Sequence, residues 1–260
     1  MNAPVTRGTL YLVPAPLDFG CEPPQPLRDT LPEATLVQAA RLTHWICENA
    51  KSCRAYLKRV DALHPLALPL QQQQLQELPR QVHKQGDHGA RGAAAWDARP
   101  LLAPALAGHD MGLVSEAGMP AVADPGASVV RAAHALGLRV VPLVGPVSLL
   151  LALAGSGLNG QQFAFVGYLP QDARERAERL RQLEAHALRS GQTQLFIETP
   201  YRNAALWAGL LQGLQPTTRL AVASGLTLPQ MRLDSQTVQQ WRSAECPVDN
   251  RTPAVFALGS

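Results

Sequence analysis

Residues 111–146 read MGLVSEAGMPAVADPGASVVRAAHALGLRVVPLVGP. The order is an apolar run, a loop rich in glycine and proline, a stretch with helical spacing of apolar residues, and a second β-branched run. That is a β-loop-α-β unit. Its two strands are expected to be parallel and joined by a right-handed crossover. In open α/β sheets ligands bind beyond the carboxyl ends of the strands, so the loop Ser115 to Gly126 is the first place to look for a site. At twelve residues it exceeds an ordinary βα connection, and its glycines and prolines let backbone approach a ligand closely. An ordinary turn is the plain alternative. Asp124, near the end of that loop, is placed to cap the following helix, which would begin near Pro125.

Outward from this unit the pattern repeats. Toward the N-terminus, TLYLV (Thr9 to Val13) is a buried first strand ended by Pro14-Ala15-Pro16. Residues Leu42 to Cys47 form a second strand that leads into a helix from Ala50 to Val60. Pro23 to Pro32 reads as loop. Pro65 to Pro79, with its glutamine run, and Gln81 to Ala98 read as linker or lid without regular structure. Toward the C-terminus, Val147 to Ala154 is a helix stopped by Gly155. It is followed by strand Phe163 to Tyr168, an amphipathic helix over Asp172 to Arg189, and strand Gln194 to Glu198. Loop 199–202, a helix from Asn203 to Leu214, and strands Arg219 to Ala223 and Ala254 to Leu258 complete the chain. The fold class is α/β in two domains, residues 1–145 and 146–260.

Composition narrows the function classes. Hydrophobic residues are 46% of the 260 and charged residues 17%, enough to bury cores and too apolar for global disorder. The formal charge of +3 is mild for a dedicated nucleic-acid binder, although it does not exclude an RNA substrate. Cys21, Cys47, Cys53 and Cys246 contain no CxxC pair, which fits a reducing cytoplasm better than a disulfide framework. Cys47 reads as a core thiol and Cys53 as a helix-surface one. The histidines have no HExxH spacing, so no metal is expected. No run is long and apolar enough for a signal peptide or a membrane span, so no membrane role is expected. Gly155 to Gly160 matches GxGxxG, but a helical run precedes it and a strand follows, the reverse of a dinucleotide site. There is no phosphate-binding P-loop and no nucleophile elbow.

Several long motifs, in order, carry a resemblance: GTLYLVPAP, ICENAKSCRAYL, VSEAGMPAVADPG, VVPLVGPVSLLLALAGSGL, FAFVGYLP and LFIETPYRN. Together the chain resembles the tetrapyrrole methylase superfamily. Within it the pattern is similar to the ribosomal RNA small subunit methyltransferase I group, known for 2′-O-methylation of a cytidine in 16S RNA. The resemblance implies a V-shaped pair of α/β domains, usually dimeric, with S-adenosylmethionine in the interdomain cleft. It implies a cofactor loop of Glu116, Ala117, Gly118, Met119, Pro120 and Ala121, with further contacts from Gly145, Val147, Ser148, Glu198, Thr199 and Ala223. Pro14 would line the opening. A cytoplasmic homodimer acting on ribosomal RNA or the small subunit is the implied setting.

For the chemistry, Glu48, Lys51 and Arg54 are candidate catalytic groups at the start of one helix, where Lys51 and Arg54 at i and i+3 share a side. A solvated helix face is the plain alternative. Tyr201 and Arg202 follow a strand end and could meet a base or phosphate, although an arginine that only braces its loop reads equally well. The chain departs from the ribosomal group at several places. Leu17-Asp18-Phe19-Gly20 replaces Ile-Gly-Asn-Leu, Ser115-Glu116 replaces Ser-Asp, and Glu48-Asn49-Ala50-Lys51 replaces Glu-Asp-Thr-Arg. Val147-Ser148 replaces Ser-Ala, and Ser224-Gly225-Leu226-Thr227 replaces Arg-Glu-Leu-Thr. A divergent paralogue is implied. A small-molecule acceptor, or a cofactor-binding protein without catalysis, are the competing readings.

Overall fold

The computed structural model describes residues 6–18, 20, 21, 24–79 and 96–260. The chain divides into two compact units, Met1–Val147 and Ser148–Ser260, each with its own sheet.

In the first unit, strands β1 (Thr9–Val13), β2 (His44–Cys47), β3 (Gln74–Glu77), β4 (Met111–Val114) and β5 (Arg139–Pro142) form one sheet in the order β3-β2-β4-β1-β5. Every neighbouring pair is parallel. Strands β1, β2 and β4 carry long apolar side chains because helices cover them. Helices α1 (Glu33–Arg41) and α2 (Ala50–Asp61) pack with Trp45, Leu36 and Leu57, all fully buried. The short helix α3 (Ala103–Leu106) and helix α4 (Ala127–Ala135) pack with Leu10, Met111 and Val129. The Trp45 indole N–H donates to the Gln73 side-chain oxygen at 3.1 Å, so its polar edge is satisfied inside the core.

The second unit opens with helix α5 (Ser148–Ser156). Strands β6 (Phe163–Tyr168), β7 (Thr193–Glu198), β8 (Arg219–Ser224), β9 (Arg232–Thr237) and β10 (Ala254–Gly259) form a mixed sheet in the order β6-β7-β10-β8-β9. Helices α6 (Ala173–Ser190), α7 (Asn203–Gly213) and α8 (Val238–Trp241) supply the remaining cover. Phe196, Phe256, Trp207 and Trp241 lie in one core, the two tryptophans edge to face with ring centroids 5.0 Å apart. Among the described residues no helix is long and apolar enough to cross a membrane.

Four expectations need correction. Residues 65–79 are not a structureless linker, because Gln74–Glu77 pairs with β2 as an edge strand whose polar side chains tolerate water. The part of the Gln81–Ala98 reading over 80–95 lies outside the described residues. Helix α5 continues through Gly155, and the chain turns instead at Gly157 with φ +69°. Gly155 serves packing: a Cβ there would meet the Leu233 side chain at 2.3 Å. Asp124 is not the N-cap of α4; that position is taken by Gly126. Cys53 is buried rather than on the helix surface.

Candidate functional site

In the first unit the pairing register fixes what leaves the sheet together. Val13 and Cys47 both pair with Val114. Pro14, Glu48 and Ser115, each the next residue in its chain, therefore emerge side by side at the carboxyl edge. The loop after β4 is anchored there by an antiparallel bridge between Ala15 and Gly118. The Ala15 N–H donates to the Gly118 carbonyl at 2.9 Å, and the Gly118 N–H donates to the Ala15 carbonyl at 3.0 Å. Gly118 has φ +71°, and a Cβ would press on Leu17 at 3.2 Å. Ala121 and Ala123 also adopt positive φ, a costly state for residues with a side chain. Gly145 lets the chain after β5 pass Pro14, since a Cβ would lie 2.3 Å from the proline ring.

Around this anchor three carboxylates converge. The Glu116 N–H donates to the Glu48 carboxylate at 3.4 Å. Asp124 feels both Glu48 and Glu116, and burial with those like charges pushes its carboxyl up to about 7. Helix α2 starts beside them because Asn49 accepts from the N–H groups of Lys51 and Ser52, while Glu77 at the end of β3 accepts from Ala50 N–H at 2.6 Å. Lys51 and Arg54 are exposed on that first turn.

Among the described residues two pockets flank the loop. One, of about 440 Å³, is bounded by Ala15, Asp18, Lys51, Tyr56, Ser115 and Glu116 among others. The other, of about 580 Å³ and mainly apolar, takes Met119, Pro120 and Ala121 together with Leu12, Val130 and His134. The first unit thus brings together Pro14, Glu48, Lys51, Glu116–Ala121 and Gly145.

The second unit holds the remaining expected positions. Glu198 and Ser224 both pair with Ala254, so the carboxyl ends of β7 and β8 lie at one edge. Ala223 is buried within β8, and Ser148 opens α5. Glu198 is buried and accepts from the Thr199 N–H at 2.8 Å and hydroxyl at 3.1 Å. Its other oxygen holds the Arg202 guanidinium at 2.9 Å. Arg202 therefore braces its own loop, whereas Tyr201 is 69% exposed.

The sequence profile of the tetrapyrrole (corrin/porphyrin) methylases matches residues 28–240. The chain belongs to the tetrapyrrole methylase family. Family members are methyltransferases that draw on S-adenosylmethionine. Among curated relatives, the ribosomal RNA small subunit methyltransferase I of Pseudomonas aeruginosa is 42% identical over 95 residues, 36% of this chain and 32% of the relative. That of Mesorhizobium japonicum is 38% identical over 134 residues, 51% of this chain and 44% of the relative. That of Neisseria meningitidis serogroup A is 37% identical over 145 residues, 56% and 48%. The matched stretches span between about a third and a half of those relatives.

Two solved structures share the fold. The methyltransferase CobJ has a TM-score of 0.56 at 19% identity, covering 97% of this chain and 94% of its own. Uroporphyrin III C-methyltransferase from Thermus thermophilus has a TM-score of 0.52 at 19% identity, covering 97% and 98%. These methylase folds support the expected two-domain α/β class. Sequence reasoning missed the role of Asn49 and Glu77 in seating α2. An Asn directly before a helix was a visible capping signal.

Proposed function

We propose that this methylase-family chain is an S-adenosylmethionine-dependent methyltransferase whose acceptor is RNA of the small ribosomal subunit. The observation that carries the reading is the β4 loop, anchored backbone to backbone against the end of β1, in a chain whose curated relatives bear that activity in their name. The residues present fit the cofactor. Strained positive-φ backbone at Ala121 and Ala123 is the kind of feature that persists at ligand clamps. The carboxylates of Glu48, Glu116 and Asp124 suit a ligand that carries positive charge.

In this reading Glu116 to Ala121, Gly145, Val147 and Ser148 hold the cofactor, with Pro14 at the opening. Glu198, Thr199 and Ala223 contribute from the second unit. Bound S-adenosylmethionine supplies an electrophilic methyl group on a sulfonium. The protein's own task is alignment of the acceptor atom with that methyl, and removal of the acceptor's proton. Asp124, held near neutrality, is matched to proton exchange at cellular pH, while Lys51 and Arg54 offer positive charge to an RNA backbone or a developing oxyanion. Tyr201 presents an exposed ring for a base.

The four described cysteines are free, which suits a reducing cytoplasm, and a homodimer is part of the proposal. Calorimetric titration with S-adenosylhomocysteine tests the cofactor assignment. Binding in the micromolar range, about −8 kcal/mol, is expected. Absence of heat and of thermal protection at millimolar ligand contradicts it.

A further inference from the structure

The pairing register of the second unit carries one sheet face across all five strands. Leu233 of β9 pairs with Ala223, Ala223 with Val255, Val255 with Ile197, and Ile197 with Tyr168 of β6. Residues directly opposite one another point to the same side of a sheet. Helix α5 lies on this side, because a Cβ on Gly155 would meet the Leu233 side chain. The core that holds Phe196, Phe256, Trp207 and Trp241 lies on the other side. At the β6 edge the α5 side stays open: Phe163 is 41% exposed, Phe165 36% and Tyr168 59%.

The three rings share that side only because of a bulge. Simple alternation would turn Tyr168 to the core side, since it lies an odd number of residues from Phe165. Between these two β6 takes one residue more than β7, which advances only from Leu195 to Ile197, and the phase is restored. Gly167 has φ +76° and nothing within 4 Å of a Cβ, so it serves the bulge and not a close packing. Helix α5 continues the apolar surface. Leu149, Ala152 and Leu153 point inward, yet Leu150 and Leu151 on its outer side are exposed. A helix that is apolar all round belongs under cover. From Ser148 to Gln171 the chain carries no Asp, Glu, Lys or Arg, although charged residues are 17% of the whole. A nucleic-acid backbone finds no cation on this stretch to hold its phosphates. A protein surface of the same uncharged kind fits it.

We propose that a second copy of this chain covers this face, the β6 rings and outer α5 leucines of one copy packing on those of the other about a twofold axis. A twofold contact places the same patch on both sides, and an uncharged patch meets itself without repulsion. The three rings and two leucines offer on the order of 400 Å² on each copy, large for a surface that a monomer leaves to water. Two copies thus gain roughly half of a standard interface from these side chains alone. Ala154, Gly157 and Asn159 beside them are exposed and uncharged as well. The bulge spoils β6 as a template for strand addition, so the contact is face to face rather than edge to edge. This inference rests on the homodimer in the reading above, gives it a face, and depends on neither methyl donor nor acceptor.

The test is sedimentation velocity on the full chain at micromolar concentrations, with far-UV circular dichroism as the check on folding. Three variants accompany the wild type. The double variant Phe163→Lys, Tyr168→Lys charges the β6 rings, Leu150→Lys charges the outer side of α5, and Leu188→Lys charges an exposed leucine of α6 on the opposite side of the sheet. The wild type is expected to sediment at twice 27.9 kDa. Its dissociation constant should rise about a hundredfold or more in the double variant and about tenfold in Leu150→Lys, because a charge must be stripped of water to enter the contact. Leu188→Lys should leave it within about twofold of the wild type.

A monomeric wild type overturns both the homodimer and its face; if affinity for small-subunit RNA then falls in the double variant, the rings belong to RNA instead. A dimer that persists in folded forms of the double variant and of Leu150→Lys overturns the face alone. Dissociation of Leu188→Lys to the same degree overturns it as well, since any added charge would then suffice. Should the double variant fail to fold, Leu150→Lys against Leu188→Lys decides in the same way. A chain that is dimeric through this face but binds no S-adenosylhomocysteine contradicts the methyltransferase reading and supports the contact proposed here.

Discussion

Gly118 concentrates three demands at one residue: φ +71°, a reciprocal backbone bridge to Ala15, and contact distance to Leu17. A β-branched side chain fits none of them. Gly118→Val is expected to cost about 1–2 kcal/mol of stability, the usual penalty for left-handed backbone in a residue with a Cβ. Denaturant unfolding of the variant measures that loss, and titration of the remaining folded protein should show S-adenosylhomocysteine binding abolished. Undiminished affinity in the folded variant would remove the β4 loop from the site.

Asp124 makes the second residue-scale prediction, and its sign follows from the direction of its shift. Its carboxyl is raised from 3.8 to about 7 in the folded chain, so the folded state holds the proton more tightly than the unfolded one. The stabilising contribution is complete below pH 4 and is lost as pH rises toward 7. At about 1.4 kcal/mol for each tenfold change in proton affinity, the swing is a few kcal/mol at most. Asp124→Asn should flatten this dependence, so the difference in unfolding free energy between wild type and variant should drift in the variant's favour from pH 4 to pH 7. A constant difference across that range would mean that Asp124 is neither shut off from water nor crowded by Glu48 and Glu116. The sequence pointed to a helix cap here because an Asp before Pro-Gly suits that position. Convergence with Glu48 depends on which strands are neighbours, a long-range fact that no local pattern carries.

At the scale of elements, legibility followed hydrophobic pattern. The unit from β4 to β5 was plain because its strands are apolar runs set off by glycine and proline, and β1, β6, β7, β8 and β10 were found by the same signal. The strands that escaped notice are β3, QLQE, and β9, RLDSQT, both at sheet edges where one side meets solvent and polar residues are tolerated. Helix α1 was hidden behind the prolines before Glu33. The start of α2 depends on Asn49 and Glu77, which satisfy N–H groups that the helix cannot. Asn49→Ala is expected to cost about 1 kcal/mol in denaturant unfolding. It should also weaken RNA methylation, because Lys51 and Arg54 stand on that helix. A stability unchanged within 0.3 kcal/mol would mean that α2 is seated by packing alone.

At the scale of the molecule, each unit has a separate hydrophobic core, so heat unfolding need not be a single cooperative event. The proposed cofactor contacts come from both units. S-adenosylhomocysteine at about a hundredfold over its dissociation constant stabilises whatever binds it by about 2.7 kcal/mol. Scanning calorimetry should therefore show every unfolding transition moved upward by the ligand. Movement of one transition with another left in place would confine the site to one unit. Length and composition supported a globular chain, and the ordered motifs supported the family. Substrate was less legible because the stretches that depart most from the ribosomal group lie after β1 around Asp18, at the start of α2 around Asn49 and at the end of β8 around Ser224, where strand ends and helix starts carry no periodic signal.

Methyl transfer to RNA is read by incorporation of tritiated methyl groups from S-adenosylmethionine into ribosomal RNA from a strain lacking the gene. Label is expected in small-subunit RNA, dependent on the folded protein and lost in Gly118→Val. Label confined to a small molecule, or none in a protein that binds S-adenosylhomocysteine tightly, would contradict it.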